Sequence, residues 1–329
     1  MRHDDIIWRE GVESQPLKQA GLSLNPVLAV QRNLPLYPEE APRRTGQEGG
    51  VVDTGVAWCS LTVGDSLLDL ARQARSNEAA ADGGCARVGR DRATRLLVAG
   101  GVTAAAALAE DASLDLDGFL GAAFELRGRP WSEARARRDM RERIRLYRRI
   151  AACGGAVPRT PDDLLALWTE ANAGEVPIYD ESETAQFRKA GVPFAHGETL
   201  FDPGPVPPGY ETLEPEDIPG AVEAMLAFCN DGSAPVELRA GAAHFLCGHV
   251  HPFRDGNGRT ARMLACLLLA DGYSPQTLLA LVRALQEGRG AMGACMANTV
   301  LHRADLEGVV KLFLELLCSA QCGLANLRL

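Results

Sequence analysis

The segment His251-Pro252-Phe253-Arg254-Asp255-Gly256-Asn257-Gly258-Arg259-Thr260-Ala261-Arg262 concentrates groups that could do chemistry. His251, with an ordinary pKa of about 6.5, can take a proton from an attacking hydroxyl near neutral pH. Asp255 is a hard oxygen ligand of the kind Mg²⁺ uses when phosphates fill most of its shell. Gly256 and Gly258 flank Asn257 in a turn whose N–H groups can converge on an anion, and the helix that follows adds its positive end. Arg259 and Arg262, three apart on the first helical turn, can grip phosphate oxygens in bidentate fashion. Together these groups suit a nucleoside polyphosphate. Phe253 reads as a packing anchor for the loop.

Apolar helices must hold that loop in place. Leu238, Ala243, Phe245, Leu246 and Val250 predict a helix from about Pro235 up to it. Met263, Leu264, Leu267, Leu268 and Leu269 predict another from Gly258 to Asp271, ending at Gly272. Ile218, Val222, Met225, Leu226 and Cys229 share one face of a preceding helix, stopped by Asn230-Asp231-Gly232. Thr160-Pro161-Asp162-Asp163 supplies an N-cap, a first-position proline and acids for a helix through Trp168. Two further helices are expected over about 275–286 and 290–320. Between Ala173 and Tyr210 the helical period gives way to an irregular or hairpin-like excursion.

Toward the N-terminus, residues 1 to about 55 read as an extended arm rich in Pro, Gly and charge. A short helix is expected from Ser66 toward Ser76, broken by Ala79–Gly84, with others over 91–110, over 115–126 and from Ser132 to about Ile150. The last is crowded with arginines. A solvated face partly paired to Glu133, Asp139 and Glu142 explains it, and a docking surface is the alternative. CGGAVPR, near 153–159, suggests a boundary: an N-terminal region, 1–155, with a regulatory or target-binding role, and a catalytic core, 156–329. The fold class is all-α, with no strand-rich block and no long repeat.

The composition is that of a globular chain: 329 residues, 46% hydrophobic, 23% charged, net charge −9. An acidic chain has no global field for nucleic acid, so none is expected as a partner. Nine cysteines without a CxxC pair point to a reducing compartment and a cytoplasmic location, without structural zinc. The N-terminus carries acids where a signal peptide has its apolar core, and the apolar run Leu96 to Ala109 is too short to span a bilayer, so no membrane association is expected.

The twelve-residue segment resembles the signature of the Fic family, H-x-F-x-[D/E]-G-N-G-R-x-x-R, at every specified position. The resemblance extends more loosely over about 160–320. It implies a Fic-type helical core that transfers AMP from ATP to a Ser, Thr or Tyr hydroxyl of a target protein, releasing pyrophosphate. By that resemblance His251 is the general base and Asp255 holds Mg²⁺. Gly256, Asn257 and Gly258 cradle the phosphates, which Arg259 and Arg262 neutralise. The family also carries a target-docking flap hairpin, and Phe187-Arg188-Lys189-Ala190-Gly191-Val192 looks like its start, with an ordinary surface loop as the alternative.

Two departures stand out. Many members carry an inhibitory helix, [S/T]-x-x-x-E-[G/N], whose Glu pairs with the second arginine of the motif. Every Glu-Gly pair here lacks a Ser or Thr four residues earlier, and Ser76 is followed by Ala80 at the Glu place, so Arg262 is expected to be open to a γ-phosphate. The family often places a Tyr at the adenine pocket, where this chain offers Met292 and Met296. Transfer of UMP or phosphocholine, nucleotide binding without turnover, and a metal-hydrolase use of His249 and His251 are the competing readings. The target protein and the oligomeric state are left open.

Overall fold

Leucine and alanine spaced for one helical face, punctuated by caps and glycines, produce a chain that is almost entirely helical where it is described. The computed structural model describes residues 6–9, 27–30, 51–53, 59–99, 130–173, 187, 217–232, 234–301 and 305–327. Four short strands come first: β1 (Ile6–Arg9), β2 (Val27–Val30), β3 (Val51–Asp53) and β4 (Ser60–Thr62). They pair as two antiparallel ribbons, β1 with β2 and β3 with β4, the latter in the register Val51 opposite Thr62. The helices are α1 (Asp65–Val88), α2 (Arg90–Ala99), α3 (Pro130–Cys153), α4 (Pro161–Asn172), α5 (Ile218–Asn230), α6 (Val236–Val250), α7 (Asn257–Leu269), α8 (Pro275–Glu287), α9 (Arg289–Leu301) and α10 (Glu307–Ala325).

The expected stops and starts are present where their chemistry is explicit. Thr160 Oγ1 accepts from Asp163 N at 3.2 Å while the Asp163 carboxylate accepts from Thr160 N at 3.0 Å, a full capping box at α4. Ser274 caps α8 by accepting from Thr277 N at 3.3 Å, with Pro275 behind it.

Helix α6 sits at the centre. It is buried on nearly every side, from Leu238 to Val250, as expected of a helix without a polar face. It packs against α7, α5, α10 and α1. Leu67 and Ala74 of α1, Leu164 of α4, Phe245 of α6, Leu264 of α7 and Phe313 of α10 belong to one apolar core, so residues on both sides of position 155 share it.

Two helix boundaries differ from expectation. The break at Ala79–Gly84 does not occur: α1 runs through to Val88. A β-carbon on Gly84 would lie 2.0 Å from Leu324 O, so this glycine serves close approach of α1 to α10. The single helix expected over 290–320 is two, α9 and α10. At the junction, Asp305 accepts from Thr62 N at 3.1 Å, Thr62 Oγ1 at 2.6 Å and Glu307 N at 3.1 Å, tying β4 to the start of α10. The helix expected over 91–110 is described as far as Ala99, and 115–126 lies outside the described residues.

Helix α10 is long and apolar enough to cross a membrane by composition alone. Here Val309, Val310, Phe313, Leu314 and Leu317 are buried, and the helix packs on α1, α8 and α6.

Candidate active site

The motif occupies the turn between α6 and α7, and each end of that turn is set by a left-handed residue. His251 closes α6 at φ 48° and ψ 55°, its N–H donating to Cys247 O at 3.2 Å. A non-glycine residue in this region stores strain, which surrounding packing must offset. Gly256 opens α7 at φ 82°, where glycine carries no such cost. No side chain caps α7 at this position, so the first-turn N–H groups and the helix dipole form a positive end facing the loop.

His251 is 7% exposed, and its Nδ1 lies 3.2 Å from Gly248 O. A carbonyl only accepts, so Nδ1 bears the proton in the neutral ring and Nε2 bears the lone pair that can take one. Asp255 is also 7% exposed. Its Oδ1 accepts from Gly256 N and, at 3.2 Å, from Arg259 Nη2. One hard carboxylate so placed fits a divalent ion that draws its other ligands from phosphate and water. Among the described residues no cluster of three or more His, Cys, Asp or Glu side chains is arranged to build a site around an ion by itself. His249 is stacked on Phe245 at 5.5 Å inside the core.

Asn257 has a different job from its neighbours. Its Oδ1 accepts from Phe253 N at 2.9 Å and its Nδ2 donates to Phe253 O at 2.7 Å, so the side chain staples the loop. Phe253 is fully buried, stacked on Trp168 at 5.2 Å and tilted against Phe187 at 5.7 Å. Arg188, Lys189, Ala190, Gly191 and Val192 of the expected flap lie outside the described residues. Gly258 is exposed, and a β-carbon there would meet Arg262 Nη1 at 3.4 Å.

Helix α4 locks the loop from beneath. Trp168 Nε1 donates to Asp255 O at 2.8 Å. Asn172 Oδ1 accepts from Arg259 Nε, and its Nδ2 donates to Trp168 O at 2.8 Å and to Thr260 Oγ1 at 3.3 Å. A β-carbon on Gly256 would fall 2.2 Å from Asn172 Oδ1, so the two residues are fitted to each other. Neither Trp168 nor Asn172 was legible as part of the site. Their signal is only their i, i+4 spacing at the end of a capped helix.

Arg262 is not open, contrary to expectation. Its Nε donates to Glu142 Oε1 at 2.6 Å and its Nη2 to Glu142 Oε2 at 2.9 Å, a bidentate pair with Glu142 2% exposed. The carboxylate comes from α3, in Arg138-Asp139-Met140-Arg141-Glu142-Arg143, without the Ser/Thr or Gly/Asn flanks of the inhibitory pattern. Burial opposes ionisation of Glu142, but the charge and hydrogen bonds of Arg262 and a bond from Gln286 outweigh it and hold the carboxyl below its usual range. Burial likewise opposes the Arg262 charge, and Glu142 overrides it. His244, at 5% exposure on α6, has its pKa lowered to about 3, by burial first and by Arg262 second, so it remains neutral.

The arrangement gathers a proton acceptor, a carboxylate, a positive helix end and two arginines at one end of α7. It can hold a polyphosphate and deprotonate a hydroxyl brought beside it, once Arg262 is released from Glu142.

The Fic/DOC family model matches residues 181–269. The protein adenylyltransferase Fic of Aedes aegypti is 36% identical over 101 residues, covering 29% of this chain and 17% of that protein. The protein adenylyltransferase fic-1 of Caenorhabditis briggsae is 39% identical over 74 residues, 21% of this chain and 14% of that protein. The chain therefore matches less than a fifth of the length of these relatives. Among solved structures, a Fic family protein from Desulfovibrio desulfuricans G20 superposes with a TM-score of 0.53 at 19% identity, over 80% of this chain and 74% of that one, which shows a common fold.

Proposed function

We propose that this chain, whose residues 181–269 match the Fic/DOC family model, transfers AMP from ATP to a Ser, Thr or Tyr hydroxyl of another protein. The observation that carries the reading is the convergence, at one end of α7, of His251, the uncapped helix terminus behind Gly256, and the two arginines. The names of its curated relatives support the same reaction class.

In this reading the acceptor oxygen attacks the α-phosphorus and its proton passes to His251 Nε2. The bond from the α-phosphorus to the bridging oxygen breaks, and pyrophosphate leaves with that electron pair. The first-turn N–H groups of α7 and the guanidinium of Arg259 oppose the charge that builds on the departing phosphates. Asp255 would hold a Mg²⁺ ion, which supplies further neutralisation of phosphate charge when bound. Left-handed His251 and the Asn257 staple fix the distance between base and phosphate cradle, so most of the catalytic effect is positioning. Glu142 holds Arg262 in a resting arrangement that the terminal phosphate must displace.

Incubation with ATP labelled at the α-phosphate, with Mg²⁺, tests the reaction. His251→Ala is expected to reduce label transfer to background while nucleotide binding persists. Transfer by that variant at the rate of the parent would remove His251 as the base. Unlabelled UTP or CDP-choline added in excess tests donor choice, because Met292 and Met296 are buried where the family often presents a Tyr. Only the true donor chases the label.

A further inference from the structure

The carboxylate that closes Arg262 is itself held from a third helix. Gln286 of α8, 4% exposed, donates from Nε2 to Glu142 Oε2 at 2.9 Å and lies 3.4 Å from Asp139 O. Its Oε1 accepts from Arg143 Nη1. Arg143, also 4% exposed, donates from Nε and Nη2 to Val98 O at the end of α2, at 3.2 and 2.9 Å. Three residues on from Gln286, at the corner between α8 and α9, Arg289 Nη2 pairs with Asp139 Oδ2 at 3.1 Å and its Nε donates to Gln286 O at 2.7 Å.

The chemistry of the neighbours fixes the Gln286 amide. A guanidinium only donates and a carboxylate only accepts, so the amide oxygen must face Arg143 and the amide nitrogen must face Glu142. Gln286 thus reads two adjacent residues of α3 at once, and only one rotation of α3 satisfies both. A glutamate side chain held by Arg262 alone would keep its own rotamer freedom to lose. With the third donor the carboxylate is already ordered before Arg262 meets it.

We propose that Gln286 is the positioning residue of the Glu142–Arg262 closure, holding the carboxylate in place and so setting how readily nucleotide displaces it. The inference rests on the reading that the terminal phosphates of ATP take Arg262. It adds a residue that lies outside both the motif and the matched segment 181–269. It also makes the closure responsive to α8, and through Arg143 to α2, where no phosphate contact is involved.

A double-mutant cycle on the whole chain tests it, with ATP affinity by calorimetry and label transfer as parallel readouts. Gln286→Leu keeps the size of the side chain and removes its hydrogen bonds to Glu142, Asp139 and Arg143. In the chain that retains Glu142 it is expected to tighten ATP binding and raise transfer by about tenfold, the scale of one hydrogen bond to a charged group. In a Glu142→Ala background the same change is expected to leave both readouts within about twofold, because nothing remains for Gln286 to position. An equal change in both backgrounds would assign Gln286 to general packing and overturn the proposal, as would no change where Glu142 is present. If Gln286→Leu fails to fold by circular dichroism, Gln286→Glu decides, since it sets a second carboxylate against Glu142 and should open the closure at least as far. Should Glu142→Ala alone neither bind ATP more tightly nor transfer label, the role of Arg262 in phosphate binding fails and this proposal with it. An active Glu142→Ala beside an inert Gln286→Leu sinks this proposal alone.

Discussion

In the proposed function, two charges, one on α3 and one on α7, decide whether the phosphate cradle is open. Glu142 and Arg262 are both largely buried, and a buried pair loses about 3–5 kcal/mol when one partner is removed, because the other charge is stranded. Glu142→Ala is therefore expected to lower the stability of the nucleotide-free protein by about 3 kcal/mol in denaturant melts. Saturating ATP should restore most of it, the phosphates taking the place of the carboxylate. The same variant should label target or itself about tenfold faster than the parent. A stable variant with unchanged labelling would mean that the pair is only structural. The eight specified residues of the motif were legible because they fall within twelve positions and each has one obvious chemistry. Glu142 was not, since its partner is 120 positions away and it sits among arginines that suggested a solvated face. Only the inward spacing of Asp139, Glu142 and Leu146 marks it.

Helix existence was written in periodicity and caps, and helix packing was not. Thr160 and the Asn230-Asp231-Gly232 stop fall where the capping chemistry requires. Gly83-Gly84, by contrast, reads locally as a break and is overruled by the partner helix. Two neighbouring substitutions separate these effects. At Gly83 a β-carbon meets nothing nearer than Arg87 Nη1 at 3.8 Å, so Gly83→Ala should stabilise by up to about 1 kcal/mol, the helix propensity difference. At Gly84 it would lie 2.0 Å from the Leu324 carbonyl oxygen and 2.8 Å from its carbon, backbone that cannot turn aside. Gly84→Ala should cost about 1–3 kcal/mol as α10 is pushed away, despite the same propensity gain. Denaturant midpoints of the pair check both signs, and a Gly84→Ala protein as stable as Gly83→Ala would refute the close approach of α1 to α10. The same logic applies under the motif, where α4 supplies Trp168 and Asn172 by packing that no local pattern announces.

Across the whole molecule, a net charge of −9 is compatible with the proposed polyanion site because the positive groups are gathered at one end of α7, next to a buried α6 that carries neutral imidazoles. That buried helix makes the fold acid-sensitive in a defined window. The His244 pKa is lowered to about 3, by burial and then Arg262, and the His249 pKa to about 4 by burial. In the unfolded chain both would titrate near about 6.5. Between those limits the unfolded state binds protons that the native state refuses, so stability falls as pH drops from about 6.5, by about 1.4 kcal/mol per pH unit for each imidazole. Glu142 works in the same direction but lower: its depressed pKa gives stability present above the ordinary carboxylate value and lost only as pH falls through the folded one. Unfolding free energy measured from about pH 7.5 to about pH 5 therefore isolates the histidines. His244→Gln is expected to remove about half of the slope, since Gln stays neutral while occupying the same polar position beside Phe313. An unchanged slope in that variant would mean that His244 takes up its proton within the folded protein.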